Sequence, residues 1–275
     1  MGTVQPQSRA PRVKRPDETG EAPPRLPQVA GVYRERPPAP ALCGHVDRVW
    51  TNELSGPAEI EVVPDGCIDI YWTGSRLQVA GPNTWVVTAT IASAAVLAGI
   101  RFRPGVAVRW LGVSAAELLN THPALEDCWG RRATARLSEA IAQAKTAMAV
   151  AAMIERSLVE RLHRVAPADP MISATVVAAA RQTPSPNSIV GGLVDDFSWS
   201  ERTLRRRCQE AFGYGPKTLE RILRFQRFLH LLSNTRTALS VLAVEAGYAD
   251  QAHLAREVRR LSGQTPRALM AQLQS

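Results

Sequence analysis

A row of long polar side chains has the spacing needed to hydrogen-bond base edges in DNA. The row comprises Arg202, Arg205, Arg206 and Gln209, at steps of three, four and seven positions from its first member. At about 100° per residue these positions share one face of a helix, and an apolar row beginning at Leu204 takes the opposite face. Arginine pairs bidentately with guanine and glutamine with adenine, each pair contributing ~1 to 3 kcal/mol of discrimination. The spacing therefore predicts a helix that enters the major groove.

An internal repeat with an offset of fifty residues places a second basic face in the chain. The matched pairs are Ser200 with Asp250, Leu204 with Leu254, Arg206 with Arg256, Gly213 with Gly263, Pro216 with Pro266 and Leu219 with Leu269. In the second copy the outward positions are Ala252, Arg256 and Arg259, with His253 and Arg260 on the flank. A lone arginine-rich face is more often a solvated surface, but equivalent faces on two equivalent helices favour DNA reading.

Each copy of the repeat predicts a helix, a tight turn and a second helix that carries the basic face. Ser200 and Asp250 are suited to cap the second helices, and Gly213 and Gly263 to end them. Pro216 then begins a connecting helix of about 17 residues, roughly 25 Å long. Such a helix can hold two reading helices near one turn of DNA apart, about 34 Å.

Charge and proline content divide the chain into regions. Residues 1–40 contain nine of the twenty prolines with 7 basic and 4 acidic side chains, which predicts a disordered basic tail. Residues 41–183 carry 13 basic and 13 acidic side chains, and residues 184–275 carry 13 and 8. The net charge of +8 therefore sits at the two ends, and the basic C-terminal region suits a polyanionic partner.

The region after the tail alternates short apolar runs with turn residues, which is typical of a small β domain. The predicted strands are Arg48 to Thr51, Ile60 to Val63, Ile68 to Trp72, Leu77 to Ala80, Trp85 to Thr88 and Val96 to Phe102. This spacing favours a β-barrel-like domain over residues 41–133. The fold class is therefore α+β: this domain is followed by an all-α domain over 168–275, with two helix-turn-helix units joined by the connecting helix.

An alanine-rich segment over 134–167 links the two predicted domains. Apolar residues such as Ile154 and Leu158 recur there at helical spacing until prolines interrupt the pattern. The segment is one long helix or a hairpin of two. Its apolar stripe packs either on its own domain or against a second copy of the chain in a homodimer.

Five residues of the β-rich region combine aromatic and charged groups that suit a small organic effector. They are Trp50, Asp65, Asp69, Trp72 and Arg101. Core packing and ordinary ion pairing account for the same residues without a ligand.

Several function classes find no support in the sequence. The metal-ligand types among Cys43, His45, Cys67, His122 and Cys128 fit no specific metal spacing, and the cysteines are expected to be reduced. Neither a phosphate-binding glycine loop nor a nucleophile elbow is present, so no catalysis and no cofactor are expected. Without a secretory signal or an apolar run of about 18 residues, the expected location is the cytoplasm, away from membranes.

The repeat resembles the C-terminal DNA-binding domain of the AraC/XylS family of bacterial transcription regulators over about residues 171–272. The second unit carries most of the resemblance, in the run Ala246 to Leu254 with Arg256, and then Gly263 to Pro266. The resemblance implies base contacts at Arg202, Arg205, Arg206, Ala252, His253 and Arg256. Cys208 and Val258 stand where the family often has phenylalanine, and Ala252 offers only a methyl contact, which implies weaker or more apolar readout by the second unit.

The region from about residue 62 to 130 resembles the N-terminal domain of one subgroup of these regulators. The shared runs include Val63 to Ile70, Gly99 to Gly105 and Leu125 to Gly130. The resemblance implies a β domain with a sensing or regulatory role. The partners expected from it are double-stranded DNA, a small-molecule effector and, if the protein activates transcription, RNA polymerase.

Two other function classes compete with this interpretation. One is an alkyl-acceptor repair enzyme with a similar DNA-reading domain, in which Cys67 would take the methyl group. The other is a module whose basic helices bind acidic protein. Clustered cysteines, which the sequence lacks, would favour the first, and insensitivity to DNA sequence would favour the second.

Overall fold

Seven β-strands precede eleven α-helices in the part of the chain that the computed structural model describes, residues 31–167, 169–180 and 200–273. The strands are β1 (Val32–Arg36), β2 (Val46–Leu54), β3 (Ala58–Val62), β4 (Asp69–Trp72), β5 (Leu77–Ala80), β6 (Val87–Ile91) and β7 (Ala95–Phe102). The helices of the first half are α1 (Val108–Leu111), α2 (Ala115–Leu118), α3 (Leu125–Trp129), α4 (Arg131–Ala142) and α5 (Ala147–Arg161). Those of the second half are α6 (Pro170–Ala180), α7 (Glu201–Phe212), α8 (Pro216–Asn234), α9 (Leu239–Ala246), α10 (Gln251–Ser262) and α11 (Pro266–Leu273). A β-rich half is thus followed by a helical half.

The strands form an open sheet and a separate ribbon. The antiparallel sheet has the order β1-β2-β7-β4-β5, and β3 pairs with β6 alone. Each predicted strand overlaps an observed one, but within the described residues the sheet does not close into the barrel-like form that the spacing favoured. An irregular segment at residues 63–68 leads from β3 back to the sheet, and another at residues 81–86 leads from the sheet to β6.

Alternation along the strands gives the sheet two chemically different faces. One face is apolar and includes Val49, Ile70 and Ile100, all at most 1% exposed. Helix α5 packs across β2 and β7 on this face, with Ile154 and Leu158 in the same core. The alanine-rich segment is therefore two helices, α4 and α5, and its apolar stripe packs on its own half.

The first strand lies in the region predicted to be a disordered tail. β1 pairs along its whole length with β2, and a guanidinium nitrogen of Arg36 lies 2.7 Å from a carboxylate oxygen of Glu155 on α5. The Ala39 amide donates to the same carboxylate over 2.6 Å. The prediction was thus wrong for residues 31–40, because strand pairing and this ion pair order a segment that has few large apolar residues; residues 1–30 lie outside the described ones.

The helical half has its own core around α8. Phe225 and Phe228 of α8 are fully buried and pack with Leu204 of α7 and with Leu254 and Val258 of α10. Helices α9 and α10 follow each other across residues 247–250, as a helix-turn-helix requires. The leading helix predicted for the first copy would precede Ser200 and so lies outside the described part of the chain.

The two halves meet closely at the C-terminal end of α7. A Cβ at Gly213 would lie 2.8 Å from the carbonyl oxygen of Ala115 in α2, so only glycine permits this approach. Gly213 also has a φ of 81°, a left-handed backbone that ends α7. Elsewhere in the contact, Nε2 of Gln226 on α8 donates a 2.6 Å hydrogen bond to the carbonyl of Pro64.

Candidate nucleic-acid interface and ligand cavity

Helix α7 presents the predicted polar row to solvent. Ser200 caps the helix by accepting a hydrogen bond from the Thr203 amide at 3.2 Å, and Leu204, Cys208, Ala211 and Phe212 anchor it in the core. The row itself, Arg202, Arg205, Arg206 and Gln209, is exposed. The helix is therefore held from behind while its four polar side chains remain available to a partner.

Two ion pairs distinguish the arginines of α7. Nη1 of Arg206 lies 2.8 Å from Oε1 of Glu210, but both side chains are more than half exposed, so the pair contributes little and DNA can displace it. Arg207 bonds Asp169 at 2.9 Å in a half-buried position beside α6. Arg207 therefore packs α7 onto its neighbour and does not belong to the exposed row.

Helix α10 presents the second predicted face. Its cap is Asp250, which accepts a hydrogen bond from the His253 amide at 2.6 Å. Ala252, Arg256, Arg259 and Arg260 are exposed. The ring of His253 is half-buried edge-on against Tyr248, with 5.3 Å between centroids, and its Nδ1 lies 3.4 Å from the Ala249 amide. Only the remaining edge of this imidazole faces outward, so its contribution to a partner is narrower than that of the arginines.

Two arginines of α8 make polar contacts that hold α8 against α10 and the turn before it. Nε of Arg221 lies 3.5 Å from Oε2 of Glu257 on α10, and Arg224 pairs with Glu220 one turn away. The Arg224 guanidinium also lies 5.6 Å from the centroid of the Tyr248 ring. Spacing of four residues made the Glu220 and Arg224 pair predictable, whereas the Arg221 and Glu257 pair depends on tertiary packing that no local pattern encodes.

A cavity of about 1320 Å³ lies against the face of the sheet that carries Trp50, Asp69 and Arg101. It is bounded by the five-stranded sheet, by the ribbon of β3 and β6, by Ile141 of α4 and Val150 of α5, and by Gln226 of α8. All five residues predicted for an effector pocket line it: Trp50, Asp65, Asp69, Trp72 and Arg101. Trp72 also belongs to the core cluster of the β-rich half, so it serves packing as well.

The charged residues of the cavity form one connected cluster. Nε of Arg101 lies 3.3 Å from Oδ1 of Asp69 and 3.5 Å from Oδ2 of Asp65, and Nε1 of Trp50 donates to Asp69 at 2.9 Å. Burial raises the pKa of Asp69 although Arg101 lies beside it. The Asp69 carboxylate in turn raises the pKa of Arg101, which therefore stays protonated. One cation thus faces two carboxylates in a sheltered site.

The cavity lining extends beyond the five predicted residues, and includes the polar or aromatic residues Asn52, Tyr71 and Tyr33. Asn52 and Tyr71 follow Trp50 and Asp69 by two positions on β2 and β4, so strand alternation alone places them on the same face. Tyr33 had no such signal, because it lies on β1 in the segment predicted to be disordered.

Three other features bear on methyl transfer to cysteine, on metal binding and on membrane insertion. Burial raises the pKa of the Cys67 thiol, with the Asp65 carboxylate adding to the shift, which disfavours the thiolate that a methyl acceptor would use. Among the described residues no three of His, Cys, Asp and Glu lie close enough together to hold a metal ion. None of the described helices combines the length and apolar character needed to cross a membrane.

Two family models match separate parts of the chain. Residues 193–272 match a helix-turn-helix domain, and residues 34–124 match a domain of unknown function, DUF6597. The HTH-type transcriptional activator RhaS of Pectobacterium atrosepticum is 29% identical over 82 residues, which are 30% of this chain and 29% of that protein. The match therefore spans less than a third of that relative.

Solved structures of ToxT from Vibrio cholerae are similar over most of the chain. One at 1.65 Å resolution has 11% sequence identity and a TM-score of 0.48, over 82% of this chain and 99% of that one. A second, with bound unsaturated fatty acid, has 10% identity and a TM-score of 0.45, over 81% of this chain and 94% of that one.

Proposed function

We propose that this chain is a member of the AraC/XylS family of transcription regulators, and that it binds DNA sequence-specifically and regulates transcription in response to a small-molecule effector. The observation that carries the proposal is the pair of capped, core-anchored helices, α7 and α10, whose outward faces are basic. In this proposal each helix enters the major groove of one of two adjacent segments.

Helix α7 supplies the stronger base readout in this proposal. Arg202, Arg205 and Arg206 carry forked guanidinium donors that match the acceptor pair of guanine, and Gln209 matches adenine. Each contact that forms contributes ~1 to 3 kcal/mol of discrimination between bases. Exposure of the whole row is what makes simultaneous contacts feasible.

Helix α10 supplies a more apolar readout with phosphate contacts around it. Arg256 takes the position equivalent to Arg206, and the Ala252 methyl suits the C5-methyl group of thymine. Arg259 and Arg260 lie in the last turn, where long basic side chains suit the phosphates flanking the groove. The exposed edge of His253 completes this surface.

The length of α8 is compatible with α7 and α10 contacting two successive major-groove segments on one face of the duplex. Its 19 residues span about 28 Å at 1.5 Å per residue, close to the ~34 Å of one DNA turn. The Arg221 and Glu257 contact holds α10 against this helix, so the two reading helices keep a fixed separation.

Control by an effector is proposed to act through the segment at residues 63–68. Asp65 of this segment belongs to the cavity cluster, and its neighbour Pro64 accepts the hydrogen bond from Gln226 of α8. Gly66 lies near the Tyr214 hydroxyl and Leu219, so the segment contacts the beginning of α8 as well as its middle. A ligand that binds one arrangement of this segment better shifts the DNA-binding state by that difference in affinity. A homodimer, and contact with RNA polymerase by an activator, are further elements of this proposal.

The test uses the full chain and a library of random duplexes. Selection is expected to enrich one sequence with two segments about one turn apart, and its affinity should fall steeply as salt rises. A shuffled duplex of the same composition serves as the control, and specific binding should exceed it by ~10³ or more. Equal affinity for selected and shuffled duplexes would contradict sequence-specific reading.

A further inference from the structure

The cavity has two walls of different chemistry. The sheet contributes Trp50 of β2 and Tyr71 of β4, which lie on its polar face on either side of β7. Their ring centroids are 6.2 Å apart. The ribbon contributes aliphatic side chains, including Ile60 of β3 and Ala89 of β6, which are register partners. A molecule in the cavity would therefore lie between an aromatic surface and an aliphatic one, which suits a flat apolar body.

Gly99 allows the aromatic surface to be flat. It is the register partner of both Trp50 and Tyr71, and a Cβ there would lie 2.5 Å from Cζ2 of Trp50. The indole therefore rests directly on the backbone of β7. Tyr33 continues the surface on the other side of Trp50, at 6.3 Å between centroids and 27° between planes.

The charge of the lining favours a cationic ligand. Its carboxylates are Glu61, Asp65 and Asp69, and its guanidinium groups are Arg76 and Arg101, so the balance is one negative charge. His122 adds no cation at neutral pH, because burial lowers its pKa. A ligand carboxylate would compete with Asp65 and Asp69 for Arg101, whereas an ammonium group would gain from both carboxylates.

A buried acceptor in the lining also lacks a donor. Asn52 is 5% exposed and lines the cavity two residues beyond Trp50 on the same face of β2. Its Oδ1 has no hydrogen-bond partner within the described part of the chain. An unsatisfied buried acceptor costs about 1 to 3 kcal/mol, so a ligand that brings an N–H or O–H donor is favoured here.

We propose that the cavity binds an organic ammonium compound, a protonated amine carried on a flat apolar body. The ammonium group lies against Asp65 and Asp69, the body lies on Trp50, and a further donor reaches Oδ1 of Asn52. The inference rests on the proposed function, since it names the chemical class of the effector.

The test compares three probes that share one aromatic body: naphthylethylamine, naphthylethanol and naphthylacetate. Isothermal titration of the full chain at neutral pH is expected to show the amine binding at least about tenfold more tightly than the alcohol, and the carboxylate binding weakest. Equal or tighter binding of the alcohol or the carboxylate overturns the proposal. Absence of binding by all three overturns it as well.

A charge-neutral variant locates the ammonium group. Asp65→Asn keeps the oxygen that accepts from the Cys67 amide, so the local turn is preserved. It should weaken amine binding at least about tenfold while changing alcohol binding little. Asp127→Asn, an exposed site on α3 outside the lining, should change neither. Equal loss of amine and alcohol binding in Asp65→Asn overturns the assignment.

DNA affinity measured on the same samples separates the two proposals. Amine binding that leaves DNA affinity unchanged supports the ligand class but contradicts regulation through this cavity. Failure of every probe with intact sequence-specific DNA binding overturns the ligand class and leaves DNA reading in place.

Discussion

The side-chain amide of Gln226 donates a 2.6 Å hydrogen bond to the backbone carbonyl of Pro64, 162 residues earlier in the chain. Gln226 lies on α8, between the two reading helices, and also lines the cavity. Pro64 precedes Asp65, which contacts Arg101 inside the cavity. Gln226 thus contacts the segment that borders the cavity from the helix that, in the proposed function, separates the two DNA-reading helices.

Replacing Gln226 is expected to weaken this connection with little loss of fold. Gln226→Ala removes one partly buried hydrogen bond and should lower the free energy of unfolding by about 0.5 to 1.5 kcal/mol. DNA affinity without ligand should change little, but the change in DNA affinity on adding naphthylethylamine should shrink. Urea unfolding and fluorescence anisotropy measure the two effects, with the exposed His230→Ala on the same helix as control. A ligand response equal to that of the unaltered protein would rule out this contact as the route.

Arg206 is expected to affect specificity and not stability. Arg206→Ala removes an exposed ion pair with Glu210, so the free energy of unfolding should stay within about 0.5 kcal/mol. Base preference at one position of the site should relax by ~1 to 3 kcal/mol. Arg131→Ala, at a side chain 89% exposed on α4, is the matched control and should leave preference unchanged. Identical sequence preference for both variants would remove α7 from the role of reader.

Gly99→Ala is expected to deform the cavity floor. The added methyl would meet the Trp50 ring at 2.5 to 2.8 Å, so the indole must tilt and lose its hydrogen bond to Asp69. Overpacking of this kind should cost about 1 to 3 kcal/mol of stability. Gly56→Ala is the control, because nothing lies within 4 Å of its added carbon. Thermal unfolding and tryptophan fluorescence should change for the first variant alone, and unaltered fluorescence in Gly99→Ala would mean that the ring does not rest on β7.

Two C-terminal fragments are expected to fold and bind DNA with different stabilities. Asp169 accepts hydrogen bonds from the Met171 amide at 3.0 Å and from Arg207 at 2.9 Å. A fragment of residues 166–275 keeps these bonds, whereas one of residues 171–275 leaves Arg207 without this carboxylate. The longer fragment should therefore unfold at a higher temperature, and both should retain helical circular dichroism and DNA binding. An unfolded longer fragment would show that the helical half needs the β-rich half to fold.

Ionised Glu155 is expected to stabilise the fold, so the free energy of unfolding should decrease when acidic pH protonates this side chain. Burial opposes its ionisation, but hydrogen bonds from Arg36 and the Ala39 amide, together with the Arg36 charge, lower its pKa. A lowered folded-state pKa contributes stability that is present above the unfolded value, ~4.3, and is lost as pH falls through the folded value. Glu155→Gln should therefore destabilise the protein at pH 7 by about 1.5 to 3 kcal/mol, and the difference from the unaltered protein should narrow below pH 4. A gap that stays constant with pH would contradict this linkage.

The cavity illustrates what residue types and alternation can predict. The combination of aromatic and charged residue types was sufficient to bring Trp50, Asp69 and Arg101 together as candidates, although ordinary packing and ion pairing account for the same types. Their arrangement around one cluster depends on β4 pairing with β7, which brings Asp69 opposite Arg101. That pairing joins residues 32 positions apart, so no local sequence pattern predicts it.

The first strand illustrates what the sequence could not predict. β1 reads Val-Tyr-Arg-Glu-Arg, four of its five residues are exposed, and a proline-rich stretch precedes it. Local composition therefore resembles a solvated tail, and only pairing with β2 and the contact with Glu155 order it. The helices of the second half were more predictable, since caps such as Ser200 and Asp250 mark their starts and every turn carries an apolar residue inward.

Gly213 links α7, one of the two helices proposed to read DNA, directly to the β-rich half. This one residue both ends α7 in a left-handed conformation and touches the Ala115 carbonyl of α2, so the β-rich half bears directly on the end of α7. If α7 enters a DNA groove as proposed, its tilt there would depend partly on this contact, whereas α10 is held by α8 through the contact of Arg221 with Glu257. An effector acting on the β-rich half would consequently retune one half of an operator more than the other. Natural operators of such a protein would tolerate sequence drift unevenly across their two segments.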